Sequence, residues 1–208
     1  MDRMSTRVAG LTGATLQTAP TVCHECIWWQ TEWGGSVEKA RWIEKAEKEW
    51  GSWGTVYYDD GGRVLGSMQF GPAALFPRAR ELPAGPPSDD AMLVTCAYLV
   101  DLSSPWVMQS LFLTAIGEAR DRGAFALETF GYRYPEGESL TERFHVHKTV
   151  FPHDFLSDLG FLTIRSAGRV ELARLELGGL QPVAEGKRAK VIRLVKQAFQ
   201  PAPVPQQP

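Results

Sequence analysis

The chain is poor in cysteine: three among 208 residues, an odd number that makes no disulfide framework. Reduced thiols and a cytoplasmic location are therefore expected. No apolar run approaches the ~20 residues that cross a bilayer, and the N-terminal residues lack the basic-then-apolar pattern of a signal peptide, so no membrane partner is expected. Nor is there an excess of either charge. With 22 Lys and Arg against 24 Asp and Glu, the formal net charge is −2. That argues against nucleic acid as a main partner, because counterion release needs a concentrated basic surface. What remains, 44% hydrophobic and 22% charged, is the composition of a globular chain long enough for one domain with a real core. Seven tryptophans are many for this length, and most are expected inside.

Local patterns then give an order of elements. Residues 5–9 read as a first strand, and 37–50 as a helix with Ser36 at its cap and Gly51 at its end. Val37, Ala40, Ile43, Ala46 and Trp50 fall on one side of that helix, which predicts its buried face. "GTVYYDDGGRVLGSMQF" reads as a hairpin turning at Asp-Asp-Gly-Gly. Residues 71–90 hold five prolines and read as a loop. "AMLVTCAYLV" (91–100) is apolar enough for a strand covered on both faces. A helix from Pro105 to Arg122 comes next, closed by Gly123. Residues 124–132 read as a strand, 133–150 as a loop, "HDFLSDLGF" as a short helix, and "LTIRSAGRVELARLEL" as two strands. The result is an α/β chain with a mixed sheet. Residues 1–180 form the domain, 181–200 a C-terminal amphipathic helix, and 201–208 a disordered tail. The apolar face of that helix (Val191, Leu194, Val195, Ala198, Phe199) predicts a homodimer contact.

Four stretches together resemble the GNAT N-acetyltransferase family, in the form common in actinobacteria: "YYDDGGRVLGSMQF", "MLVTCAYLV", "SLFLTAIGEARDRGAFALETFG" and "DFLSDLGF". The resemblance covers roughly residues 50–177. It implies a mixed, mostly antiparallel central sheet flanked by helices, and transfer of acetyl from acetyl-CoA to a primary amine. The acceptor would be a small molecule or a peptide. It also implies cofactor contacts: Tyr98, Leu99 and Val100 along the pantetheine arm, and Ser103, Ser104, Trp106, Val107 and Met108 around the pyrophosphate.

The chain departs from the family at two places. Its turn "VDLSSPWVMQ" has no glycine where the family has an Arg/Gln-x-x-Gly-x-Gly/Ala pattern; Trp106, Val107 and Met108 stand at the glycine positions. No Arg or Lys lies between Met92 and Glu118, and a tryptophan at that mouth would obstruct a diphosphate. Ser104 and Pro105 nevertheless make a good helix start, and backbone N–H groups donate without glycine. Second, Leu156 aligns with a tyrosine that many members use to protonate the leaving thiolate, and leucine has no proton to give. Two readings stay open: an acetyl-CoA-dependent transferase, or a chain that kept the fold and lost the cofactor to become a binding or assembly module.

As candidate catalytic groups, Glu128 is a carboxylate inside a strand, and His145 a base in the 133–150 loop, with His147 and His153 as alternatives. Cys96, inside an apolar strand, reads as a core residue. Cys23-x2-Cys26 with His145-x-His147 would make a Cys2His2 zinc site, but the histidine spacing is tighter than usual, so no metal is assigned.

Overall fold

The computed structural model describes residues 7–101, 105–135 and 150–178. Its strands are β1 (Arg7–Gly10), β2 (Gly54–Tyr58), β3 (Val64–Pro72), β4 (Ala91–Leu99), β5 (Ala126–Tyr132), β6 (Phe151–Pro152), β7 (Leu162–Ala167) and β8 (Val170–Glu176). They form one sheet in the order β1-β2-β3-β4-β5-β8-β7, with β6 joined to β5. Neighbours run antiparallel except at β4–β5 and β5–β6. The helices are α1 (Gly13–Leu16), α2 (Lys39–Glu49), α3 (Pro105–Asp121) and α4 (His153–Asp158). This is the expected mixed, mostly antiparallel sheet flanked by helices.

Alternation along each strand divides the core in two. Tyr57, Leu127 and Ala173 face α3 and α4 with Val107, Leu111, Phe112 and Leu156. Val56, Phe130 and Leu172 face α1 and α2 with Leu16, Trp42 and Ala46. α3 is apolar on most sides because it lies across the middle of the sheet. Gly123, at φ +76°, ends it, and Arg122 ties that end down by donating to Trp50 O (2.7 Å) and Ser52 Oγ (2.9 Å).

The structure corrects several local expectations. α2 starts at Lys39 with no side-chain cap, so Ser36 does not serve as one. Its buried residues are Lys39, Trp42 and Ala46, with Val37, Ile43 and Trp50 half-buried against the same core; of the expected face only Ala40 is exposed, and Lys39 and Trp42 are additions to it. Lys39 joins the buried side because its ammonium finds an acceptor, Cys26 O at 2.7 Å, and lies over the rings of Trp42 and Trp53. Burial pushes that ammonium down from its ordinary pKa. In the Asp-Asp-Gly-Gly turn between β2 and β3 only Gly62 takes positive φ, while Asp59 Oδ1 accepts the N–H groups of Gly61 and Arg63. The first strand lies at 7–10, and two short 3-10 turns (Ala73–Leu75, Pro77–Arg80) occupy the proline-rich stretch.

The amphipathic segment 181–200 and the tail lie outside the described residues, as does most of the 133–150 loop. Among the described residues, no helix is long and apolar enough to cross a membrane.

Candidate active site

The two central parallel strands do not stay together. β4 and β5 pair from Ala91↔Ala126 to Val94↔Thr129 and no further. Beyond that point β4 continues along β3 to Leu99, and β5 along β8 to Tyr132. A wedge therefore opens between them toward their C-terminal ends. Its cause is a bulge. Gln69 of β3 faces Cys96, yet the next residue, Phe70, faces Val94, so Thr95 is an extra residue in β4. A bulge bends its own strand and re-aims the residues beyond it. Two hydroxyls pin the vertex: Thr95 Oγ1 donates to Gln69 O (3.3 Å), and Thr129 Oγ1 to Val94 O (2.9 Å). Both threonines are fully buried. On the far side, β6 pairs with β5 at Gly131 and Tyr132, taking the edge that β4 has left.

Backbone direction along the β4 side of this gap is set by one bond. Val100 N–H donates to Leu65 O (3.0 Å), so Val100 turns its polar groups toward β3. Antiparallel alternation turns those of Tyr98 and Cys96 the same way, and those of Ala97 and Leu99 toward the gap. Of the three expected arm positions, Leu99 alone presents its backbone to the gap. Ala97, which the sequence pattern did not single out, presents its own.

Past Leu99 the chain leads into α3. Ser103 and Ser104 lie outside the described residues. Val107 and Met108 put their side chains in the core, at 1% and 2% exposure. The Trp106 ring also packs on the core, edge-on to Tyr57 with centroids 5.6 Å apart. The three side chains at the family's glycine positions thus serve the interior. Close approach is supplied from β3 instead: a Cβ on Gly66 would sit 2.8 Å from Tyr98 O and 3.1 Å from Val107 Cγ1. Gly66 lets the first turn of α3 settle onto the strand pair.

On the α1/α2 side, aromatic packing backs the gap. Phe130 stacks on Trp29 (6.0 Å), Trp29 meets Trp28 edge-on (4.7 Å), and Gln30 Nε2 donates to Gln69 Oε1 (2.9 Å). Cys96 belongs to this side, and burial pushes its thiol up to about 12, as befits a core residue.

Glu128 lies below the vertex, opposite Leu93, and is fully buried. Its Oε1 accepts from Arg174 Nη1 (2.9 Å) and its Oε2 from Ser88 N–H (2.8 Å). A carboxylate engaged on both oxygens, and not in the gap, ties β8 and the 81–90 connection to β5. His145 and His147 lie outside the described residues, and with them any joint site with the exposed Cys26 and half-buried Cys23. Among the described residues no group of three or more metal-ligating side chains comes together. Leu156 is buried in the core below α4. One polar constellation was visible in the sequence only through its histidine. Glu171 of β8, 1% exposed, meets His153 at the start of α4 with Nδ1 2.5 Å from Oε1. The sequence carries no signal for it beyond the histidine itself, because the contact depends on register.

No family model matches the sequence, and no curated protein matches it. Solved structures do align with it. An N-acetyltransferase from Staphylococcus aureus Mu50 is similar at a TM-score of 0.48 and 12% identity, over 83% of this chain and 99% of that one. A GCN5-related N-acetyltransferase from Kribbella flavida is 16% identical, with a TM-score of 0.42 over 82% and 97% of the two chains. The structure of yncA from Salmonella typhimurium, described with its cofactor acetyl-CoA, is 15% identical, with a TM-score of 0.46 over 86% and 98%. These are likenesses of shape between chains with little sequence in common.

Proposed function

We propose that the protein is an acetyl-CoA-dependent N-acetyltransferase that acetylates a primary amine by direct transfer. The observation that carries this reading is the parting of β4 from β5 at the Thr95 bulge, with the backbone groups of Ala97 and Leu99 turned into the gap. An open strand edge inside a sheet calls for a ligand that can complete it. The arm of acetyl-CoA, an extended chain with two amides, has donors and acceptors at the right kind of interval. When bound, acetyl-CoA supplies an acetyl thioester, a carbonyl made reactive by a good leaving group.

In this reading the chain's residues divide the work by position. Ala97 and Leu99 hold the arm through backbone hydrogen bonds. The Ala97 N–H, the gap-facing donor nearest the vertex, offers a hydrogen bond to a carbonyl oxygen that gains charge during attack. The first-turn N–H groups of α3, on Trp106, Val107 and Met108, carry the positive end of the helix dipole and suit a diphosphate. With no Arg or Lys between Met92 and Glu118, that anion site relies on backbone groups, joined by the hydroxyls of Ser103 and Ser104. Buried Thr95 and Thr129 keep the vertex rigid, so its donors need little reorganisation.

The test is thiol release from acetyl-CoA with n-butylamine as a generic acceptor. Release that depends on both enzyme and amine supports the reading. Absence of release, together with absence of acetyl-CoA binding, returns the chain to the other reading, a fold kept for binding or assembly.

A further inference from the structure

We infer that His153 is the proton-transfer group of this site and that Glu171 is its positioning residue, the two joined across Gly131. The inference rests on the acetyltransferase reading and names the residue that would accept the acceptor's proton.

Gly131 of β5 lies opposite Glu171 of β8, so the carboxylate stands on the α3/α4 side of the sheet over a residue with no side chain. That absence is necessary. A Cβ on Gly131 would lie 2.8 Å from Glu171 Oε1, 2.9 Å from its Cγ and 3.1 Å from Leu156 Cδ1. Across this notch the His153 ring reaches Glu171, with Nδ1 2.5 Å from Oε1. The other oxygen accepts from Thr163 Oγ1 (2.9 Å) and pairs with Arg133 Nη2 (3.0 Å). A carboxylate already paired with a guanidinium accepts and does not donate, so the His153 bond runs from Nδ1–H. The neutral ring is then held as the tautomer whose lone pair is on Nε2. A buried carboxylate that fixes tautomer and orientation in this way is what makes an imidazole an effective base.

Position completes the case. Pro152 pairs with Tyr132 on the edge of β5 that β4 has vacated, so His153 begins α4 at the rim of the gap. Its side chain is 28% exposed, enough to exchange a proton with water while its orientation stays fixed. Leu156, one turn further along α4, has no proton to exchange. Of the charged groups around it, Glu171 from β8 contacts the ring, Arg133 just past β5 pairs with that carboxylate, and Asp154 follows in the first turn of α4.

The step is a single proton transfer. The lone pair on Nε2 takes a proton from the acceptor's R–NH3+, whose N–H bonding pair stays on nitrogen as the nucleophilic lone pair. The imidazolium is offset by the Glu171 carboxylate, which keeps its own protonation state, and later releases its proton to water.

The test uses the full chain labelled with 15N-histidine, whose His153 signals are assigned from the His153→Gln variant. The neutral ring should show Nε2 unprotonated, and CoA should shift its signals while calorimetry records binding. In thiol release with n-butylamine, His153→Gln should lower kcat by about 10²–10³. It should also remove the limb in which rate rises with pH, and leave KM for acetyl-CoA within a few-fold. Glu171→Gln should scramble the tautomer, so that the neutral ring no longer shows Nε2 alone unprotonated. CoA binding that leaves His153 unmoved, or a His153→Gln variant that keeps the limb, would overturn the inference alone. Absence of CoA binding would overturn the acetyltransferase reading and this inference with it.

Discussion

Replacing Glu128 with glutamine separates two roles that one carboxylate in a central strand can have. In the structure Glu128 is fully buried, receives Arg174 at 2.9 Å and the Ser88 N–H at 2.8 Å, and sits where β4 and β5 are still paired. Breaking a buried ion pair from one side costs about 3–5 kcal/mol. Arg174 keeps Asp90 and Glu176 as partners, and a glutamine oxygen can still accept from Ser88, so the lower end, about 3 kcal/mol, applies. For a chain of this size that is a fall of about 6–12 °C in Tm. The assay is thermal and urea denaturation of the variant beside the parent, with acetyl transfer measured well below the new Tm. The expected result is a large loss of stability with kcat per folded molecule within a few-fold of the parent. A variant that keeps its stability and loses two or more orders of magnitude in kcat would refute the structural role and restore Glu128 as the base.

Trp106→Gly removes a ring packed against Tyr57 and adds glycine to a helix, so it should destabilise by about 2–4 kcal/mol. Calorimetry should show no tightening of CoA, because the ring serves the core. With its thiol pushed up to about 12, Cys96 should be the last cysteine alkylated by iodoacetamide at neutral pH, well after exposed Cys26, as peptide mass mapping would show. Arg174 beside Asp90 holds that carboxyl below its ordinary value of 3.8. A depressed carboxylate stabilises the fold above its unfolded pKa, and that contribution is lost as pH falls through the folded value. Asp90 is half exposed, so Asp90→Asn should cost less than about 1 kcal/mol at neutral pH. The difference between the two proteins should shrink as pH falls below 3.8 and the carboxyl takes up its proton, as read by urea denaturation.

What the sequence revealed depended on the range of each interaction. β4 and α3 were legible because an uninterrupted apolar run and a helix closed by Arg-Gly are local signals, and the β7–β8 hairpin was legible for the same reason. The inward face of α2 was legible in part, through Ile43 and Ala46, but Lys39 was not, since a lysine reads as solvent-facing unless one knows that Cys26 O and two indoles await it. Glu128 stood out as a carboxylate in a strand, but its partner Arg174 lies 46 residues on, and only strand order brings them together. The Thr95 bulge leaves no mark on the sequence because it is a property of register between β3 and β4. β6 is two residues long and carries no period of its own. The His153–Glu171 pair needs both that strand and the bare backbone of Gly131, so a histidine after a proline gave no sign of its carboxylate.

Binding of the acetyl-CoA arm in the gap beside β4 can be followed through the backbone amide resonances of the 15N-labelled chain as acetyl-CoA is added. Saturable shifts are expected, concentrated at Ala97 and Leu99 and at the first-turn amides of Trp106, Val107 and Met108. Amides that stay in place at millimolar cofactor, or that move only outside these two segments, would contradict it.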